Sequence, residues 1–247
     1  MFWKKKIKSP ITIEDEEWLR EDMKWLKEVL SEPHFSQIKT VTPTKDFYNR
    51  DFTGIEEDAE FVLKRTMELM CIKDTQIKLV FFDDSPVFGE DGSILTTPAD
   101  INGEWKSAAG IYEENEGFTN IYIERQQLTN PISLIATISH ELSHVILLGE
   151  KLVDYNDEFL TDLMAITYGF GIFLGNSRFQ FSQYSNGTIM GWQTSSQGYL
   201  PEQIIAFFMA LLSIERKENI NFKKFLNKTM LKLFDKSYEY ILNKKPS

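Results

Sequence analysis

Two histidines four residues apart constrain this chain more than any other feature of its sequence. His140 and His144 flank Glu141 in the run His-Glu-Leu-Ser-His. On a helix, side chains four residues apart lie one above the other, so both imidazoles face the same way and Glu141 lies at their flank. The chain has three histidines, and two of them belong to this motif. The spacing therefore predicts a helix that carries a metal site.

The residues around the motif also predict a helix with defined ends. Asn130 supplies an N-cap, Pro131 suits the first helical position, and Gly149 supplies a stop. Apolar residues recur between these ends at helical spacing, on the side away from the histidines. They are Ile135, Ile138, Leu142, Val145 and Ile146.

The chemistry expected of such a helix is metal-assisted hydrolysis of an amide bond. Two histidines at this spacing suit a tetrahedral Zn²⁺, and a catalytic zinc takes three protein ligands and keeps one position for water. Bound water has its pKa lowered to about 7, so Glu141 is the candidate general base. The expected cofactor is Zn²⁺ and the expected partner is a peptide or protein substrate.

A second acidic pair downstream offers the third ligand. Glu158 and Asp162 are four residues apart on a predicted helix for which Asn156 or Asp157 is the N-cap. Glu158 is the candidate ligand, and Asp162 is the candidate acceptor for the spare ring N–H of a histidine. Asp162 stands in an apolar helix, with no Lys or Arg between Lys151 and Arg178.

The pair of motifs resembles the zinc site of the gluzincins, the thermolysin-like metallopeptidases. The resemblance covers roughly residues 130–173, and the 13 residues between His144 and Glu158 make an unusually short link. It implies that His140, His144 and Glu158 are metal ligands, Glu141 the general base and Asp162 the orienting carboxylate. The stretch 160–178 and Gly198-Tyr199-Leu200 also resemble uncharacterised bacterial zincin-like proteins, and no substrate follows from that.

Other interpretations of the same residues stay open. Asp157 and Glu158 at a helix start suit the helix dipole, which leaves Asp162 as an alternative direct ligand. One alternative to a peptidase is a structural or regulatory metal in a protein-interaction module, with its fourth position closed by a protein group. Another is a zincin-derived protein that has lost its metal. A peptidase also needs a group that stabilises the oxyanion. The chemistry of their side chains allows five residues, of which Tyr199 is the preferred candidate: Tyr155, Tyr168, Tyr184, Tyr199 and Arg178.

Composition narrows the class of protein. At 247 residues, with 42% apolar residues, the chain suits one large domain or two small ones. The resemblance implies a single zincin-like domain over 1–247, with an N-terminal part to about 129 and a metal-site part over about 130–247. A net charge of −10 argues against nucleic-acid binding. No stretch reads as a membrane span, and the single cysteine, Cys71, fits a cytoplasmic protein in which that thiol is buried. The sequence carries no signal for an oligomeric state.

The remaining pattern predicts an α+β fold that is mainly helical, with a small mixed or antiparallel sheet before the histidine helix. Either of the two strands nearest that helix, 108–112 or 120–124, is a candidate edge for an extended peptide substrate, and an acidic turn is expected between them. An ordinary hairpin explains these two strands equally well. Further helices are predicted at 13–30, 54–71, 201–215, 221–233 and 236–243, a strand at 77–82, and a hairpin around Asn186-Gly187.

Overall fold

The chain is mainly helical with a small mixed sheet, as predicted. A computed structural model describes residues 8–73, 75–83, 87–88, 94–95, 112–115, 118–149, 151–177 and 200–244. The α-helices are α1 (Ile13–Val29), α2 (Glu32–Gln37), α3 (Glu56–Leu69), α4 (Pro131–His144), α5 (Glu158–Ala165), α6 (171–177), α7 (Glu202–Glu215) and α8 (Lys228–Asn243). The strands are β1 (Ile77–Phe82), β2 (Val87–Phe88), β3 (Ile94–Leu95), β4 (Tyr112–Asn115) and β5 (Phe118–Glu124).

The described residues form two compact units. One comprises Arg50–Asp154, and the other combines Met1–Asn49 with Tyr155–Ser247. The first unit contains the sheet and the histidine helix, and the second contains the helix of Glu158. The single domain expected from the sequence stays a prediction.

In the first unit, β5 is the middle strand of a three-stranded sheet. It pairs in parallel with β1, from Ile77 opposite Thr119 to Phe82 opposite Glu124, and antiparallel with β4. Because β5 is the middle strand, the expectation that 120–124 forms a substrate-binding edge is wrong. Glu113 and Glu114, expected in the acidic turn between the two strands, lie in β4 instead, and residues 116–117 are outside the described residues. Of the other candidate edge, 108–112, only Tyr112 is described.

The histidine helix is held in the first unit by apolar contacts with α3, which also packs on β1. The side chains of Val62, Leu134, Ile138, Leu142 and Ile121 are completely buried. Burial of each such side chain contributes about 1.5–3 kcal/mol. The helix that carries the motif is therefore a core element of its unit.

Asp58 fixes the start of α3. Its carboxylate is fully buried and accepts hydrogen bonds from the Arg50 Nε–H (2.6 Å), the Thr53 N–H (2.7 Å) and the Gly54 N–H (2.9 Å). Burial alone would raise the pKa of Asp58, but the Thr53 and Arg50 hydrogen bonds outweigh it and lower the pKa from 3.8 to about 2. The charged form of Asp58 therefore stabilises the fold.

We expect the Asp58→Asn substitution to lower the free energy of unfolding at pH 7 by about 3 kcal/mol, since it removes a buried charge from its donors. Because the pKa is lower in the folded chain, this stabilisation is complete above pH 4 and is lost as the pH falls towards 2. Urea unfolding of both proteins at several pH values measures the difference. A difference that stays constant from pH 7 to pH 2 would contradict this account.

In the second unit, α7 is the central helix. Every residue from Ile204 to Ser213 is buried, and α7 packs on α8, α1 and the π-helical turn Ile166–Phe170. Gly169 in this turn has a φ of 99°, and a Cβ there would lie 2.3 Å from the Lys39 carbonyl oxygen. Only glycine suits such a conformation and so close an approach. The Val41 N–H donates to the Gly169 carbonyl at 2.9 Å, which fixes the turn.

Some local expectations were wrong. The C-terminal helices expected at 221–233 and 236–243 are instead a 3₁₀ segment, Ile220–Phe225, and one helix, α8. Cys71 is exposed, because the chain leaves α3 there through a residue with φ of 59°. The hairpin around Asn186-Gly187 lies outside the described residues.

Two helical segments are long and apolar enough to span a membrane, judged by length and composition. They are Pro131–Gly149 and Glu158–Ser177, and 83% of the apolar window of each is buried within the protein. The second comprises α5, α6 and the turn between them, in which Gly169 has a non-helical φ of 99°. Both are therefore mostly buried helices, as core helices are.

Candidate metal centre

The histidine helix begins and ends where the sequence predicted. Asn130 Oδ1 accepts the Ser133 N–H at 3.2 Å, and Pro131 is the first residue of α4. After His144 the chain continues as a π-helical turn, Val145–Gly149. Such turns are rare and occur often at functional sites. The local signals therefore place both histidines in the last turns of a well-capped helix.

The two histidines have the separation that a shared metal ion needs. Their Nε2 atoms lie 3.1 Å apart, and their rings are inclined at 84°. Nitrogens at about 2.0–2.1 Å from one tetrahedral ion would be about 3.3 Å apart. The same 3.1 Å also suits a hydrogen bond between one protonated and one unprotonated nitrogen. Both rings are buried, with 7% and 5% of their surface exposed.

Glu141 lies on the same helix and is also buried, with 4% of its surface exposed. One residue on a helix turns the side-chain direction by about 100°, so the Glu141 carboxylate starts beside the histidine face. A buried carboxylate is costly unless it is hydrogen-bonded or paired with a cation. A divalent ion held by the neighbouring histidines is one such cation.

The helix of Glu158 is capped by its neighbour. Asp157 Oδ1 accepts the Leu160 N–H at 3.0 Å, which confirms Asp157 as one of the two predicted caps. Since Asp157 performs this role, Glu158 is not needed for capping. Instead Glu158 Oε1 accepts a hydrogen bond from Asn156 Nδ2 at 2.8 Å. This contact with the Glu158 carboxylate was not foreseen, because Asn156 was interpreted only as a possible cap.

His140, His144 and Glu158 are close enough to bind one metal ion. Each offers one ligand atom, and these three atoms all lie within 4.8 Å of one another. The two nitrogens and one carboxylate oxygen suit Zn²⁺ and several other divalent transition metals. The predicted ligand set is thus brought together, and the predicted identity of the ion as zinc remains a proposal.

Asp162 is fully buried in α5, as its apolar surroundings predicted. Its Oδ2 accepts the backbone N–H of Leu200 at 3.0 Å. This partner lies 38 residues away and was not foreseen, since the sequence pointed only to a histidine ring N–H. That ring contact stays a prediction. The observed contact ties α5 to the residue just before Pro201, at the start of α7.

A further carboxylate lies beside the cap of α5. The pKa of Asp22 is raised from 3.8 to about 6, mainly because its carboxyl group is buried. Repulsion from Asp157 raises this pKa further, whereas a hydrogen bond from Trp18 lowers it. The entrance to the Glu158 helix therefore carries two carboxylates, Asp22 and Asp157, that repel each other.

The other candidate residues are only partly described. Tyr199, the candidate oxyanion stabiliser, lies outside the described residues, as do Tyr184 and Arg178. Tyr155 is 67% exposed, whereas Tyr168 is buried with its ring 6.2 Å from that of His34. His34 lies in α2 and is half-buried.

Comparison with known proteins adds no assignment: no family model, curated protein or solved structure matches the chain.

Proposed function

We propose that this protein is a zinc-dependent metallopeptidase of the gluzincin type, with a zincin-like fold. The observation that supports it most is the set of three ligand atoms from His140, His144 and Glu158 within 4.8 Å. A buried carboxylate, Glu141, accompanies them on the histidine helix. A catalytic zinc site has this composition, with three protein ligands and an adjacent carboxylate base.

In this proposal each residue has a defined task. His140, His144 and Glu158 hold the ion, which when bound supplies a Lewis acid and lowers the pKa of its water. Glu141 accepts the proton of the attacking water and passes it to the departing amine nitrogen.

Residues around the ligands orient the groups that react. Asn156 orients the Glu158 carboxylate through its 2.8 Å hydrogen bond. Asp162 orients a histidine ring, and Tyr199 donates to the developing oxyanion.

Burial favours one alternative, a non-catalytic metal site in a protein-interaction module. His140, His144 and Glu141 are each less than 10% exposed, and a metal enclosed by protein groups needs no access for substrate. A structural zinc has four protein ligands and no position for water. In that alternative Glu141 neutralises charge and has no role as a base.

Peptide hydrolysis by the metal-loaded protein separates the two. The proposal expects cleavage of a fluorogenic peptide library that stops when the metal is chelated and returns when zinc is restored. Tight zinc binding without cleavage of any peptide would support the interaction module instead.

A further inference from the structure

A groove in the second unit lies directly beside the residue that follows Glu158. It encloses about 380 Å³, within the range of small-ligand pockets. Trp18 of α1 and Phe159 of α5 form one wall, with their ring centroids 6.0 Å apart, and Leu200, Pro201 and Ile204 line it from the start of α7. We call it the Trp18–Phe159 groove.

The groove exposes apolar surface that the fold does not bury. Phe159 is 45% exposed although it stands on a helix whose next turns are completely buried. Pockets that bind ligands are concave and lined mainly by apolar and aromatic side chains, as this groove is. Aromatic rings in such positions contribute much of the binding energy at protein interfaces.

The charge around the groove is negative. Its only charged lining residue is Asp15, among the residues that the structure describes. Residues 13–22 contain six acidic side chains and one basic side chain, Arg20, which is paired with the buried Glu16 at 2.8 Å. The indole of Trp18, which lines the groove, donates to the Asp22 carboxylate, so a second acidic side chain lies at this edge. A ligand that brings a cation to this edge meets Asp15 and Asp22.

We propose that the Trp18–Phe159 groove binds a bulky apolar side chain of an extended peptide that carries lysine or arginine next to that side chain. The apolar side chain contacts the Trp18 and Phe159 rings, and the basic side chain approaches Asp15 and Asp22. The inference rests on the proposed function in one respect, since it takes this peptide to be the substrate.

The position of the groove suits a substrate site. Phe159 follows Glu158 in the chain, and consecutive Cα atoms are about 3.8 Å apart. An extended peptide advances about 3.3 Å per residue. A peptide that fills the groove therefore reaches the vicinity of Glu158 within a few residues. Leu200, which lines the groove, is also the residue whose N–H is bound by Asp162.

The test is a binding titration with three capped tripeptides, Lys-Phe-Lys, Glu-Phe-Glu and Lys-Ser-Lys, on the full-length Glu141→Gln protein, in which turnover is blocked. We expect Lys-Phe-Lys to bind at least about tenfold more tightly than either of the others, a factor that corresponds to 1.4 kcal/mol. Its affinity should also fall as salt is added. Equal binding of the three peptides would overturn the proposal.

Two substitutions locate the binding, and one serves as a control. Phe159→Ala should weaken Lys-Phe-Lys about tenfold, whereas Tyr155→Ala, which removes a 67% exposed aromatic ring that does not line the groove, should leave it unchanged. Asp22→Asn keeps an acceptor for Trp18 but removes a charge, so it should reduce the preference for Lys-Phe-Lys over Glu-Phe-Glu. Thermal unfolding first checks that both variants are folded. If Phe159→Ala and Tyr155→Ala then weaken the binding of Lys-Phe-Lys equally, the assignment of this peptide to the groove is overturned.

Other occupants of the groove give different results. Phe2 and Trp3, followed by Lys4, Lys5 and Lys6, have the chemistry proposed for the ligand. Binding that appears only after Phe2 and Trp3 are replaced by serine would assign the groove to the chain's own N terminus and overturn the substrate assignment. Light scattering tests a further occupant, a second copy of the chain. Self-association that disappears in Phe159→Ala would assign the groove to that copy and would also overturn the substrate assignment.

The same titration in zinc-free and zinc-loaded protein separates this inference from the proposed function. Selective binding of Lys-Phe-Lys by a protein that takes up no zinc would support the groove and contradict the peptidase. Zinc uptake and hydrolysis without selectivity among the tripeptides would support the peptidase and overturn the groove.

Discussion

The Glu141→Gln protein is expected to lose hydrolytic activity by about 10³-fold or more while it keeps its metal. Glutamine has nearly the same shape as glutamate but cannot accept the proton of the attacking water, and general acid–base catalysis contributes about 10²–10⁴-fold. A 10³-fold loss corresponds to about 4 kcal/mol in the barrier. The measurement is kcat/KM on a fluorogenic peptide, with zinc content determined on the same samples.

The matched control is Glu60→Gln, which makes the same change at an exposed position of α3. We expect it to leave both activity and zinc content unchanged. If Glu141→Gln cleaves peptide as fast as the parent protein, Glu141 is not the base. If it loses the metal together with activity, Glu141 acts in metal binding.

The second large effect is expected on metal affinity, from Glu158→Ala. Removal of a direct ligand should lower zinc affinity by more than about 100-fold, whereas an orienting carboxylate is worth about 10–100-fold. Asp162→Asn is the companion variant, since asparagine keeps an oxygen that can accept the Leu200 N–H. Competition with a chromophoric chelator measures both affinities.

The variant that loses more zinc affinity identifies the carboxylate that is the third ligand. We propose Glu158, whose carboxylate oxygen lies within 4.8 Å of the histidine nitrogens and whose helix is capped by Asp157. A normal zinc affinity in Glu158→Ala combined with a large loss in Asp162→Asn would make Asp162 the ligand. Glu158 would then interact only with the helix dipole and would not bind the metal.

Local signals in the sequence predicted the helices of the site well. The starts of α4 and α5 can be predicted without knowledge of the rest of the fold, because the capping interactions reach only three residues along the chain. The residues that give these signals are Asn130, Pro131 and Asp157. The spacing of His140 and His144 is likewise a property of one helix. Their approach to Glu158 was inferred from the third ligand that a catalytic zinc needs and from a resemblance to a known family.

Contacts between distant segments could not be predicted. The Leu200 N–H reaches Asp162 across 38 residues, and a backbone donor leaves no mark on the identity of the residue that carries it. Cys71 was expected to be buried because the apolar pattern of α3 continues to it, but the helix has already ended at Leu69. The turn after α5 is a further case, because Gly169 packs there against Lys39, which is distant in the sequence.

The metal content of the purified protein tests the central claim most directly. Elemental mass spectrometry after brief dialysis without chelator should find close to one zinc per chain in the parent protein and very little in His140→Ala. No zinc in the parent protein, even after the metal is added back, would show that the closely placed His140, His144 and Glu158 are not a metal site. The peptidase proposal would then be wrong.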